Sequence, residues 1–371
     1  IDEMNKAGHA VINLGIGSPD LPPHPEVIRT LQEESAKPNV HAYQSYKGSP
    51  VLRKAMADWY RTWYGVELDA DKEILPLIGS KEGIMHICMT YLDEGDIAFV
   101  PDPGYPTYSS AVKLAGGRIE SFRLTEERQW FPDLQELAGR IADLRRHGAK
   151  VKLLFVNYPH MPTGQLPEPG MMEALVTFAQ ENKVLLVHDN PYSFILNEDP
   201  ASLLAVPGAK DVVLELNSLS KSQNMAGWRV GMLCAAKERI DEVLRFKSNM
   251  DSGMFLPVQL AAAKALGLDR SWYDEVNRAY AKRREYAFAL LDLLGCTYSR
   301  GQAGMFVWAK IPSGYADGYA VSDDVLYKAK VFITPGGIFG EAGKGYVRVS
   351  LCATEEKFQD SIARIRERMG K

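Results

Sequence analysis

A lysine bracketed by two hydroxyls, with a guanidinium eight residues further on, is the most chemically loaded stretch of the 371-residue chain. The segment Asn217-Ser218-Leu219-Ser220-Lys221 continues as SQNMAGWR to Arg229. Hydroxyls and a fork-shaped guanidinium both donate hydrogen bonds, which suits a phosphate dianion. An amine that is desolvated, or crowded by positive charge, gives up its proton more readily and becomes a nucleophile able to form a Schiff base. A phosphate clamp beside such a lysine is the pair of functions that pyridoxal phosphate requires.

Other residues suit the same ligand. Asp189 closes an apolar run, and a buried carboxylate there would keep a pyridine nitrogen protonated, turning the ring into an electron sink. Tyr192, three residues on, can donate to the cofactor's phenolic oxygen, and Tyr105 can stack on the ring face. At Gly79-Ser80-Lys81 a helix start would offer free backbone N–H groups to a phosphate, with the Ser80 hydroxyl as a further donor. Lys81 either joins them or faces solvent. Asn157 ends another strand and is counted with the cofactor-binding set. Arg348, on a C-terminal strand, is the candidate for gripping a substrate α-carboxylate bidentately. In this scheme the substrate amine displaces Lys221, whose freed amine carries a proton between the substrate Cα and the cofactor's C4′.

The elements that must hold these groups follow a rhythm. Short apolar runs at 74–78, 97–100, 152–156, 184–188, 212–216 and 230–234 alternate with helical patterns. That alternation predicts a doubly wound, mostly parallel α/β sheet, whose ligands bind beyond the carboxyl ends of the strands. Several of those ends carry the residues just named. Val11 to Leu14 breaks into the Gly/Pro loop Gly15–Asp20, helices are expected over 25–34 and through Leu52, Met56 and Trp59, and Tyr43 to Gly48 reads as a loop. Beyond about Gly267 the texture changes to a smaller α+β domain. A helix is expected from Tyr280 to Leu294, strands at 305–309, 331–334 and 346–350, and a closing amphipathic helix from Glu355 to Met369. The expected division is a large domain over 36–270 and a small one made of 1–35 with 271–371.

Composition narrows the class. The chain is 46% hydrophobic and 24% charged with a net charge of −4, which is the balance of a globular protein without a basic field for nucleic acid. Cys88, Cys234, Cys296 and Cys352 are scattered, with no CxxC and no metal-ligand spacing, so free thiols in a reducing cytoplasm and no metal are expected. No apolar run reaches the length of a membrane span. The chain opens at Ile1 inside a helical pattern, IDEMNKAG, so a preceding segment is expected. GxGxxG is absent after the first strand, which argues against a dinucleotide-binding dehydrogenase.

The stretches INLGIGSPD, AYQSYKG, LIGSKEGI, VPDPGYPTY, NYPHMPTG, HDNPY, SLSKSQNMAGWRVG, KSNMDSG and GYVRVSL carry a resemblance over essentially the whole length. The chain resembles the fold-type I pyridoxal-phosphate aminotransferases of class I/II, and within them the LL-diaminopimelate aminotransferases. The resemblance implies that Lys221 carries the cofactor, Asp189 pairs its pyridine nitrogen and Tyr105 stacks on it. Ser80, Ser218, Ser220 and Arg229 would hold the phosphate, and Arg348, helped by the Gly17 backbone, the substrate carboxylate. It further implies a homodimer in which Tyr43 reaches the phosphate in the neighbouring subunit. The implied reaction moves an amino group from an L-amino acid to a 2-oxo acid such as 2-oxoglutarate. Aspartate, alanine or an aromatic amino acid are the other donors, and elimination or cyclisation on the same scaffold the other chemistry. A non-catalytic regulatory module is the alternative of a different class. The pattern departs from the family where asparagine usually precedes Pro-Thr-Gly: this chain has His160-Met161-Pro162-Thr163-Gly164. Methionine has no donor to offer the phenolic oxygen, so Tyr192 would serve it alone and raise the pH at which the lysine-bound cofactor loses its proton. Ser18 and Gln223 also differ from common residues of the diaminopimelate branch. Lys81, Asn249 and Arg245 are polar candidates for the distal end of the substrate.

Overall fold

The first strand is short: β1 (Ile12–Asn13) ends in the loop that precedes the helix Pro25–Ser35. The computed structural model describes residues 1–370. The helix Pro50–Tyr64 is held at both ends, Ser49 Oγ accepting from the Leu52 N–H and Gly65 closing it in the left-handed region. Its buried stripe of Leu52, Met56, Trp59 and Tyr60 faces the main sheet.

That sheet has seven strands: β2 (Ile74–Leu77), β3 (Ile97–Asp102), β4 (Arg118–Arg123), β5 (Val151–Val156), β6 (Leu185–Asp189), β7 (Val213–Ser218) and β8 (Gly231–Cys234). Their spatial order is β2-β8-β7-β6-β5-β3-β4, and only β8 runs against the others. β2 and β7 are buried along their whole length, so neither shows a polar, solvent-facing alternation; β2 is apolar throughout, and the polar Glu215 and Asn217 of β7 are buried with hydrogen-bond partners. β4 went unnoticed in the sequence because it is an edge strand, RIESFR, with only Phe122 buried. The order sets the carboxyl ends of β5, β6 and β7 side by side, and these ends are Asn157, Asp189 and Ser218.

Below those ends lies a buried support. Glu215 of β7 accepts hydrogen bonds from Tyr60 (2.8 Å), the Ser202 hydroxyl (2.7 Å) and the Leu203 N–H (3.0 Å), and lies 2.7 Å from His188 Nδ1. A fully buried carboxylate is tolerable when so many donors replace its water.

The C-terminal part forms β9 (Phe306–Lys310), β10 (Val331–Phe332), β11 (Thr334–Pro335) and β12 (Tyr346–Ser350). β11, β12 and β9 make an antiparallel sheet in that order, while β10 pairs in parallel with β1, Ile12 opposite Val331. The single strand expected over 331–334 is therefore two. It breaks at Ile333, whose carbonyl accepts from the Ser322 hydroxyl (2.6 Å) instead of from a strand neighbour. The helix expected from Tyr280 begins ten residues earlier, at Arg270, where Asp269 caps it by accepting from the Ser271 N–H. Helix Pro25–Ser35 lies against helix Leu256–Leu266.

Candidate active site

A cavity of about 670 Å³ opens where the strand ends of the main sheet face β9 and β12, a volume suited to a cofactor and a small substrate together. The structure brings together Ser80, Lys81, Tyr105, Asn157, Asp189, Tyr192, Ser218, Ser220, Lys221, Arg229, Gly17 and Arg348 around it. Tyr43 is not among them. It is 92% exposed and does not line its own chain's cavity. Arg245 and Asn249 are exposed and also lie outside it.

At one end, the helix Ser80–Tyr91 begins without a side-chain cap on Gly79, so its first N–H groups face the cavity. Gly79 has φ +85°, and a Cβ there would meet Arg229 Nη2 at 2.1 Å, so only glycine lets the guanidinium lie against this turn. Arg229 Nη1 donates to the Ala226 carbonyl (2.7 Å), leaving other N–H groups free. The Ser218 hydroxyl accepts from the Ser220 N–H (3.0 Å) and leans on the Val230 carbonyl (3.4 Å). Backbone donors, hydroxyls and a guanidinium thus converge as an anion cradle.

Lys221 lies in the middle, its Nζ 2.6 Å from the Gly17 carbonyl and 6.0 Å from the Tyr192 ring centre. Burial holds its amine below the ordinary lysine range, with the Arg348 and Arg229 charges adding to the effect. Asp189 is 5% exposed. Its Oδ2 accepts from Tyr108 (2.8 Å), while its buried Oδ1 has no partner among the described residues. Burial raises this carboxyl to about 6, the Tyr108 hydroxyl pulling the other way. An orphaned, desolvated carboxylate oxygen facing a cavity is the observation that a protonated ring nitrogen fits. Asn157 braces the site from behind: its amide donates to the Asp189 carbonyl (2.6 Å) and its oxygen accepts from the Met161 N–H (2.7 Å).

At the other end, Arg348 is 8% exposed and has no carboxylate partner among the described residues. Its guanidinium lies 3.8 Å from the Phe306 ring centre and 4.7 Å from that of Phe339. Nη2 donates to the Gly15 carbonyl (3.1 Å) and Nη1 points at the Met161 thioether (3.4 Å). Burial lowers its pKa to about 10. A desolvated cation without a counter-ion, open to the cavity, fits a substrate carboxylate. His160 does not replace the donor that Met161 lacks. Its Nδ1 sits 2.8 Å from the Thr163 hydroxyl, its ring is outside the cavity lining, and burial lowers its pKa to about 3.

Comparison with known proteins now bears on what the cavity does. A sequence profile described as Aminotransferase class I and II matches residues 9–365. The chain is 41% identical over 372 aligned residues to the LL-diaminopimelate aminotransferase of Halothermothrix orenii, covering 99% of this chain and 94% of that protein. It is 40% identical to the enzyme of the same name from Moorella thermoacetica, covering 100% and 94%. The chain belongs to the aminotransferase class I and II family. Among solved structures, substrate-bound BacF from Bacillus subtilis superposes with a TM-score of 0.92 at 35% identity, covering 99% of this chain and 92% of that one.

This aminotransferase is therefore an α/β transaminase of a pyridoxal-phosphate-dependent family, and the reading as a non-catalytic module falls away. Sequence reasoning missed three residues of the site. Tyr108, which holds Asp189, stands one turn after Tyr105 and that spacing was its only signal. Phe306 and Phe339 flank Arg348 from elements far apart in the chain, and nothing local marks them. Among the described residues, no helix is long and apolar enough to cross a membrane.

Proposed function

We propose that this aminotransferase moves an amino group from LL-diaminopimelate to 2-oxoglutarate with pyridoxal 5′-phosphate in the cavity. The observation that carries the reading is Arg348, a buried cation without a counter-ion, open to the same cavity as the half-buried Lys221. Identity of about 40% to diaminopimelate enzymes over nearly their full length supports the donor. Bound there, pyridoxal phosphate supplies an electron sink that makes the proton at the substrate Cα removable.

The chain's own residues do the rest. The Ser80–Tyr91 helix start, Ser80, Ser218, Ser220 and Arg229 would hold the phosphate, with Lys81 beside them and Tyr43 added by a second copy of the chain in a homodimer. Asp189, with its unpartnered Oδ1, would hold the ring nitrogen protonated, Tyr105 would stack on the ring, and Asn157 fixes the Asp189 backbone. Tyr192 would donate to the phenolic oxygen. Arg348 grips the α-carboxylate, which leaves the Cα proton within reach of the Lys221 amine. Its lowered pKa lets it accept that proton as base and return it as acid. The Gly17 carbonyl, 2.6 Å from Nζ, steadies the amine between the two positions. The two-domain division, 36–270 against 1–35 with 271–371, belongs to the same proposal. So does a reducing cytoplasm, supported by four buried cysteines, none of them in a disulfide.

The test is a donor panel with 2-oxoglutarate as acceptor, following glutamate formation with LL-diaminopimelate, aspartate, alanine and phenylalanine. The proposal expects kcat/KM to be highest for LL-diaminopimelate. A higher value for another donor overturns the substrate assignment, and keto-acid and ammonia release without an acceptor overturns the transamination.

A further inference from the structure

Glu82 and His86 stand one turn apart on the helix Ser80–Tyr91, so their side chains share a face. Asp251, from the turn after the helix Lys237–Lys247, meets that face. One donor atom from each of the three lies within 4.8 Å of the other two. His86 is 2% exposed, yet neither of its ring nitrogens has a hydrogen-bond partner among the described residues. Glu82 Oε1 is only 3.1 Å from Nε2 but out of line for a hydrogen bond. Asp251 Oδ2 is likewise buried and unpartnered. Two orphaned polar side chains converging on a third are what a ligand set looks like when its ligand is a bare cation.

The surrounding contacts orient these donors. Glu82 Oε2 accepts from the Ile78 N–H (2.7 Å), leaving Oε1 toward His86. Asp251 Oδ1 accepts from Lys247 Nζ (2.7 Å) and the Gly253 N–H (2.9 Å), leaving Oδ2 free. With a neutral imidazole, the two carboxylates and Lys247 sum to one fixed negative charge, so a divalent cation is not repelled. The Phe246 ring edge packs on His86 and keeps water from one side.

We propose that Glu82, His86 and Asp251 bind one divalent cation of the zinc or cobalt type. An imidazole with two carboxylates suits these borderline metals, whereas magnesium and calcium favour all-oxygen sets. A tetrahedral zinc with bonds of about 2.1 Å needs donors roughly 3.4 Å apart, a contraction that rotation of the partly buried Glu82 and of Asp251 supplies. The remaining position is left to water or a passing anion. No compact sequence motif marks the site, because two ligands are a helix turn apart and the third is 165 residues further along the chain.

The site ties together two regions that matter for the cavity. The helix of Glu82 and His86 begins at Ser80, at the anion cradle. Asp251 holds Lys247 and Gly253, and these seat the loop that carries Tyr43: Lys247 Nζ donates to the Tyr46 carbonyl (3.2 Å), and a Cβ on Gly253 would meet the Gln44 and Ser45 carbonyls at 2.8 Å. A bound cation would therefore fix the helix start relative to the exposed Tyr43. The binding itself does not rest on the proposed reaction.

The experiment is isothermal titration of tag-free, pyridoxal-phosphate-loaded protein with zinc chloride after chelator treatment, for wild type, His86→Gln and Glu82→Gln. Far-UV circular dichroism establishes that each variant is folded. One equivalent of zinc binds wild type, and each variant weakens binding by more than roughly 100-fold, beyond the loss seen for outer-shell partners. Thermal unfolding of wild type shifts upward with zinc and that of the variants does not. Should His86→Gln fail to fold, Glu82→Gln carries the test alone. Equal zinc affinity in wild type and the folded variants, or no one-to-one binding by wild type, overturns the proposal.

Discussion

The two ends of the cavity grip with different means. At the anion cradle the binding groups are already braced by the scaffold: Ser218 by the Ser220 N–H, Arg229 by the Ala226 carbonyl and the bare Gly79 turn. At the carboxylate end there is one guanidinium, resting on two aromatic rings, a thioether and a single carbonyl. Many pre-organised donors suit a group that stays through every turnover, because their ordering cost is met during folding. A single charge with weak partners suits a ligand that must arrive and leave each cycle. On the proposed reading, the difference separates a resident group from a passing one.

Breaking one end should leave the other intact. Arg348→Met is expected to lower kcat/KM roughly 100- to 1,000-fold, the effect of losing one partner of a desolvated charge pair. The visible absorption of the loaded enzyme should stay in place, which steady-state kinetics beside a spectrum will show.

Asp189 sharpens the comparison through stability. In the cofactor-free chain its carboxyl rises from an ordinary 3.8 to about 6. Below pH ~4 both folded and unfolded states hold the proton, so the group contributes nothing. Between that point and pH ~6 the unfolded chain releases it while the folded chain keeps it. Stability therefore falls as pH rises through this window and stays low above it, by about 3 kcal/mol for a shift of about two units. Asp189→Asn should abolish that slope in urea unfolding curves of the cofactor-free chain, and so should pyridoxal phosphate in the wild type.

Arg229→Ala is expected to weaken cofactor affinity roughly 10- to 100-fold, as for loss of a charge-assisted hydrogen bond, with the KM for the amino donor unchanged at saturating cofactor. Equilibrium dialysis and kinetics separate the two. The smallest effect belongs to Met161, which touches Arg348 and brings no donor. Met161→Asn should lower the midpoint of the visible-band pH titration by roughly one unit or less, while a midpoint that rises would contradict Tyr192 as sole donor.

Much of this was legible because the main sheet is buried on both faces. The strand Ile74–Leu77 and the 97–100 stretch of Ile97–Asp102 are apolar runs, and the polar residues at strand ends stand out against that background. The edge strand Arg118–Arg123 lacked that background, and the break at Ile333 depends on a hydroxyl from another helix. The same contrast governs the site. Lys221, Asp189 and Ser218 announce themselves at strand ends, whereas Phe306 and Phe339 reach Arg348 only through tertiary packing. Met161 was visible as a missing donor, but its contact with Arg348 needed the fold.

The central claim is that the Lys221 amine moves the proton at the substrate Cα. It is tested most directly by mixing the pyridoxal-phosphate-loaded protein with one equivalent of LL-diaminopimelate and following the visible band in a single turnover. Wild type should convert fully, and Lys221→Ala should bind the amine but convert roughly 100- to 10,000-fold more slowly, with partial rescue by added primary amines. Conversion of Lys221→Ala at the wild-type rate would contradict the account.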